Sequence, residues 1–283
     1  MAHDKQKTGQ IFGSLALAAL IVGSGLLLRR WKTHPTATER VAILDVPIDP
    51  LTMAQALGRI DEFIRSRAPH HIFTADASGI MRAQDEPVLL DIVQQADMVT
   101  PDGAGVMLAS HLHGVQLPER VSGVDLVEAI SALAAQRGYR IYLFGAADGV
   151  AQSAADTLQA RYAGLTIAGT RHGFFAAEEA GAIAREIAET KPDALFVGLG
   201  IPKQEQFIRT HFHTLGVPVM IGIGGSFDVI SGRLQRAPRW MQRTGLEWLY
   251  RFAQEPTRLP RLAALPQFVI AAWRSARATR HNG

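Results

Sequence analysis

Between residues 41 and 224 the chain alternates short, nearly continuous apolar runs with longer stretches in which apolar residues recur every three or four positions. The apolar runs predict strands at Val41–Val46, His71–Asp76, Asp97–Pro101, Arg140–Gly145, Thr166–Gly169, Ala194–Gly200 and Val217–Gly224. The stretches between them predict helices at Met53–Arg67, Ala77–Gln95, Gly103–His113, Asp125–Gln136, Val150–Tyr162, Ala177–Thr190 and Lys203–Thr214. Strands and helices that take turns in this way predict βαβ units, and so an α/β domain with a mostly parallel sheet and helices on both faces.

The pattern changes at both ends. Ile11 to Leu28 is an uncharged run of eighteen residues followed at once by Arg29-Arg30-Trp31-Lys32. It is just long enough to cross a bilayer as one helix, with a leader segment as the alternative. The basic cluster on its C-terminal side favours keeping the rest of the chain in the cytoplasm. The expected organisation is therefore a membrane anchor at 1–32, a linker at 33–40, an α/β core at 41–235 and a helical appendage at 236–283. That appendage is basic: from Arg233 onward the chain holds ten arginines against two glutamates and no lysine, although the whole protein carries only +3. Arginine grips phosphate with a planar fork of donors. The interleaved Trp240, Trp248, Tyr250 and Trp273 suit a membrane interface. A solvated helix pair packed on the domain is the plainer alternative.

Composition narrows the chemistry. A chain of 283 residues that is 47% hydrophobic can bury one good core. With no cysteine, disulfides and thiolate metal sites are excluded. The ten histidines show no metal-ligand spacing, and no Asp-x-Asp is present to hold a divalent ion on a nucleotide sugar. No metal, no cofactor and no nucleic-acid partner are expected.

In a parallel sheet the binding crevice lies beyond the carboxyl ends of the strands, and the polar and glycine-rich turns of this sequence fall there. Asp102, after a strand and before Gly103, can cap the next helix or act as a general base on a substrate hydroxyl; Thr74 and Asp76 are expected on a neighbouring strand end. Arg120 lies in a loop before a helix and can hold phosphate or pair with a carboxylate. Lys203 and Gln204 open a helix beyond a buried strand, facing the crevice or capping the helix. Gly224 and Gly225, in Gly222-Ile-Gly-Gly-Ser226, can cradle a phosphate on backbone amides or make a tight turn. Neither a phosphate-binding Gly-Lys-Ser nor a dinucleotide Gly-x-Gly-x-x-Gly is present.

Taken together, Thr100-Pro-Asp-Gly-Ala-Gly-Val106, Pro118-Glu-Arg-Val-Ser-Gly-Val-Asp125, Gly198-Leu-Gly-Ile-Pro-Lys-Gln-Glu205, Gly224-Gly-Ser-Phe-Asp-Val-Ile-Ser-Gly232 and Arg236-Ala-Pro238 with Gly245-Leu-Glu-Trp-Leu-Tyr-Arg251 resemble the WecG/TagA/CpsF family of bacterial glycosyltransferases, over roughly residues 41–262. The resemblance implies a Rossmann-like fold of the GT-E type. It also implies inverting transfer of a sugar from a UDP-sugar to a polyprenyl-diphosphate-linked sugar, on the cytoplasmic face of the inner membrane, in cell-surface polysaccharide or exopolysaccharide biosynthesis. By position, Asp102 resembles the proposed general base, with Thr74 beside it. Arg120 and Gln204 match pocket residues. Arg251, Arg258 and Arg261 match tail arginines that neutralise the leaving diphosphate. The family often has Asn where this chain has Asp76, which leaves the donor open between N-acetylmannosamine, glucose and a uronic acid. A tail of this kind can serve its own chain or a neighbour's, so a homo-oligomer is compatible with it. The competing reading is a non-catalytic, membrane-associated assembly or lipid-binding protein of a polysaccharide machine; a nucleotide-binding oxidoreductase is weaker still.

Overall fold

The computed structural model describes residues 39–244, 246–254 and 259–281. The apolar run expected to anchor the chain at 1–32 and most of the linker lie outside them. Among the described residues no helix is long and apolar enough to cross a membrane.

Six strands form one wholly parallel sheet in the order β4-β3-β8-β7-β5-β6. They are β3 (His70–Ala75), β4 (Met98–Pro101), β5 (Arg140–Gly145), β6 (Thr166–Arg171), β7 (Ala194–Gly198) and β8 (Val219–Gly222). The central strands are buried along their whole length, as covered parallel strands are, so they read as unbroken apolar runs. Alternate residues feed opposite faces. Ile72, Leu143, Phe196 and Ile221 pack beneath helices α1 (Met53–Ser66), α5 (Gly123–Arg137) and α6 (Val150–Arg161). Phe73 and Val99 point the other way, under α2 (Ala77–Asp85), α3 (Pro87–Gln94) and α4 (Ala104–Leu112). Phe144, Val197 and Met220 pack on that second face, under α7 (Ala180–Glu189) and α8 (Lys203–Thr210).

Three expected elements differ. Val41–Val46 is not a strand of the main sheet but a hairpin of β1 (Val41–Ile43) and β2 (Val46–Ile48), turned at Leu44 and Asp45, both with positive φ. Buried Asp49 then ties the hairpin to β4: its backbone N–H donates to Val99 O, its carboxylate accepts the Val99 N–H, and the same carboxylate pairs with Arg59 and Arg40. Ala77–Gln95 is two helices, because Pro87 begins a new one after Glu86. Lys203–Thr214 likewise breaks at His211 into α8 and the short α9 (Phe212–Leu215).

Beyond β8 come α10 (Ser226–Ile230), α11 (Arg239–Arg243), α12 (Glu247–Gln254) and α13 (Leu259–His281). The last of these, expected as an appendage, is seated in the core. Phe268 and Ala272 are fully buried with α2 and α4, and Gly105 of α4 has Leu265 and Phe268 within 4 Å of where a side chain would begin.

Candidate active site

The carboxyl ends of β3, β4, β7 and β8 converge on one edge of the sheet, where the last strand, β8, fills the gap between β3 and β7. Such an edge is where parallel α/β sheets bind ligands.

Asp102 follows β4, and its backbone N–H donates to Ala75 O at 2.8 Å, which locks the two strand ends together. The residue does not cap the helix that follows it: Gly103 occupies that position without a side-chain bond. Instead, Asp102 Oδ2 accepts the Gly123 N–H at 2.9 Å, reaching across to the start of α5. The first turn of α5 fixes the direction of that carboxylate. A half-buried carboxylate at a strand's carboxyl end is suited to accept a proton.

Thr74 lies one strand away, in register with Thr100, and its hydroxyl donates to Gly222 O at 2.8 Å. Asp76 caps α2 through the Gly79 N–H at 2.6 Å. Gln204 is 1% exposed and held at both ends of its carboxamide: Oε1 accepts from Gly200 N at 3.1 Å and from Gly224 N at 3.0 Å, and Nε2 donates to Glu205 Oε1 at 2.7 Å. The Gly224 N–H, expected to face a phosphate, is thus committed to Gln204. Gly224 turns the chain at φ 53° and Gly225 precedes α10, while Lys203 is exposed at the first position of α8. Gly222 must lack a side chain, since a Cβ there would overlap Gln204 Nε2 and Glu205 Oε1.

On the α5 side, Arg120 Nη1 pairs with Glu247 of α12 at 2.9 Å, and its Nη2 lies 3.9 Å from Asp125. Arg236 makes a two-pronged bond to Asp125, at 2.6 and 2.8 Å. Burial alone would raise the Asp125 carboxyl, but hydrogen bonds from Arg236 and Ser122 outweigh it and hold the group below its usual range. Arg236 is raised in turn, first by its bond to Asp125, and it feels the Asp102 charge as well. Arg236, paired with Asp125, is thus within electrostatic reach of Asp102, and the N-terminus of α5 holds the Asp102 carboxylate directly.

The side chains of Arg251 and Arg261 and the whole of Arg258 lie outside the described residues. Among the described residues no three His, Asp or Glu side chains gather as a metal site.

Glu205, Asp125, Arg236 and Glu247 belong to this edge, although the sequence did not single them out as site residues. Glu205 left a trace: Gln204, Glu205, Phe207 and Ile208 share the buried face of α8, so two polar residues occupy helix positions expected to be apolar. Asp125 and Arg236 stand in two of the quoted motifs, but their pairing left no trace, since they are 111 residues apart.

The sequence profile of the Glycosyl transferase WecG/TagA/CpsF family matches residues 41–282, and the chain belongs to that family. It is a glycosyltransferase. Among its relatives is the N-acetylglucosaminyldiphosphoundecaprenol N-acetyl-beta-D-mannosaminyltransferase of Staphylococcus aureus strain MW2, 34% identical over 234 residues that span 82% of this chain and 91% of the relative. The same enzyme from strain NCTC 8325 / PS 47 matches to the same extent. A solved structure described as a substrate-binding periplasmic protein from Ralstonia solanacearum aligns over 83% of this chain and 71% of its own, at 14% identity and a TM-score of 0.31, too low to bear on fold or function.

Proposed function

We propose that the protein is an inverting, UDP-sugar-dependent glycosyltransferase that moves a hexose to a polyprenyl-diphosphate-linked sugar in cell-surface polysaccharide biosynthesis. The observation that carries this reading is the placement of Asp102: a carboxylate at the end of β4, oriented by the Gly123 N–H, with Arg120 and Arg236 on the flanking loops. In the proposed step Asp102 takes the proton of the acceptor hydroxyl as that oxygen attacks C1 of the donor sugar. The new C1–O bond forms on the face opposite the bond that breaks, and UDP leaves with the electron pair. Cations about the site meet the charge that develops on the diphosphate; Arg120 and the tail residues Arg251, Arg258 and Arg261 are assigned to this. Thr74, Asp76, Lys203, Gln204, Gly224 and Gly225 shape the donor side.

The relatives' names favour an N-acetylmannosamine donor and an acceptor whose first sugar is N-acetylglucosamine. The basic tail and the exposed Trp240 and Trp273 favour delivery of the lipid-linked acceptor at a membrane surface, with the catalytic edge facing the cytoplasm.

The test is an assay of the purified protein in detergent with a panel of UDP-sugars, with and without a polyprenyl-diphosphate N-acetylglucosamine acceptor, reading UDP release and the anomeric configuration of the product by NMR. Acceptor-dependent release from one donor with inverted configuration is expected. Retained configuration, or membrane binding without turnover on any donor, contradicts the reading.

A further inference from the structure

Glu205 is wholly buried in a position the transfer step does not use, yet it stands at the root of the hydrogen bonds that floor the crevice. Its Oε1 accepts from Gln204 Nε2, and its Oε2 has no hydrogen-bond partner. A carboxamide can be turned over at no cost in shape, but not in chemistry: reversed, the Gln204 NH2 would face the N–H groups of Gly200 and Gly224, donor against donor. The acceptor that Glu205 supplies takes the Nε2–H and so reinforces the orientation that these two N–H groups require. The same pair of side chains packs against Gly222, whose carbonyl receives the Thr74 hydroxyl. We propose, given the glycosyl-transfer reading above, that Glu205 is a positioning residue for the reaction, acting through Gln204 to set the Gly200 and Gly224 turns at the mouths of β7 and β8.

The role depends on the proton. Burial pushes the Glu205 carboxyl up to about 8, over the opposing hydrogen bonds from Gln204 and the backbone, and the Asp76 carboxylate at the start of α2 adds to the rise. The neighbouring elements offer little to offset a charge there. Strands β7 and β8 contain no titratable residue, and the two histidines of β3 are at its other end. Helix α2 adds Arg82 and Asp85 beyond Asp76, α3 adds Asp91, and α8 itself adds exposed Lys203 and Arg209. At neutral pH Glu205 is therefore an uncharged acid. Above about pH 8 it becomes a buried anion close to a second carboxylate, and the turns it holds are strained by that repulsion.

The experiment compares wild type, Glu205→Gln and Glu205→Ala for kcat/KM against pH in the acceptor-dependent assay, and for backbone amide exchange by mass spectrometry over the segments that contain Gly200 and Gly224. Wild type is expected to lose activity through a single ionisation near pH 8. Glu205→Gln, which keeps the acceptor but cannot ionise, should stay within about threefold of wild type at pH 7 and lack that alkaline fall. Glu205→Ala should lose at least about tenfold in kcat/KM and exchange faster at both glycine turns. An identical alkaline fall in Glu205→Gln overturns the proposal, as does wild-type activity and exchange in Glu205→Ala. If the alanine variant does not fold, the pH profile of Glu205→Gln decides alone. Faster exchange in Glu205→Ala beside a wild type that transfers no sugar overturns the reaction reading, and not the placement of Glu205.

Discussion

Two buried side chains, His71 and Glu205, carry opposite demands on the proton. Burial, with a smaller push from Arg209, lowers His71 to about 4, so the fold needs it neutral. An unfolded histidine titrates near 6.5, so the stability tied to His71 is complete above that pH and is lost as pH falls toward 4. Glu205 runs the other way. Its unfolded value is 4.5 and its folded value about 8, so its contribution is complete below 4.5 and is lost as pH rises toward 8. From these two groups the thermal midpoint should fall at both ends of the range. Melting followed by circular dichroism from pH 4 to 9 should show that Glu205→Gln flattens the alkaline limb and leaves the acid limb in place. An alkaline limb unchanged in that variant would mean that Glu205 is already ionised in the folded protein at neutral pH.

At the scale of elements, what fixes the crevice is helix ends rather than the strands themselves. The N-terminus of α5 holds Asp102, that of α2 is closed by Asp76, and α8 presents Gln204 and Glu205 to the turn after β8. The basic C-terminal helix is held by a different means, the apolar contacts of Phe268 and Ala272 with α2 and α4. Truncation of a buried phenylalanine costs about 3–5 kcal/mol, and Phe268→Ala should lower the stability of the whole domain by that order in urea unfolding. It should also speed tryptic cleavage at the tail arginines. A loss below about 1 kcal/mol would show that α13 is only loosely seated.

Most of these elements were legible as unbroken apolar runs, because strands covered on both faces leave no polar alternation to confuse them. The β1–β2 hairpin was not, since Leu44 and Asp45 turn the chain without the glycine or asparagine that usually marks such a bend. Asp102 and Thr74 could be placed at the crevice from strand ends, whereas Arg120, in a loop before a helix, was brought there only by the family resemblance. Their partners could not: the Arg236 to Asp125 and Arg120 to Glu247 bonds join residues more than a hundred positions apart, and only the folded chain brings them together.

Seen whole, the molecule joins the crevice edge to a basic tail through ion pairs. Glu247 on α12 reaches Arg120, and Arg236, just before α11, grips Asp125 on the helix whose first turn orients Asp102. Trp240, Leu249, Ile270 and Trp273 remain exposed on the tail helices, with the Arg277 guanidinium stacked 3.9 Å over the Trp273 ring. A surface that mixes aromatic and basic groups beside the site fits an enzyme whose acceptor is a lipid. The central claim, however, is that Asp102 is the base. The most direct measurement is acceptor-dependent UDP release by wild type and Asp102→Asn, with the melting temperature and UDP-sugar affinity of both measured alongside. The asparagine variant keeps an acceptor for the Gly123 N–H but cannot take a proton, so release should fall about 10²–10⁴-fold while folding and donor binding stay near wild type. Release within a few-fold of wild type would contradict the assignment and move the search for the base to another carboxylate on this edge.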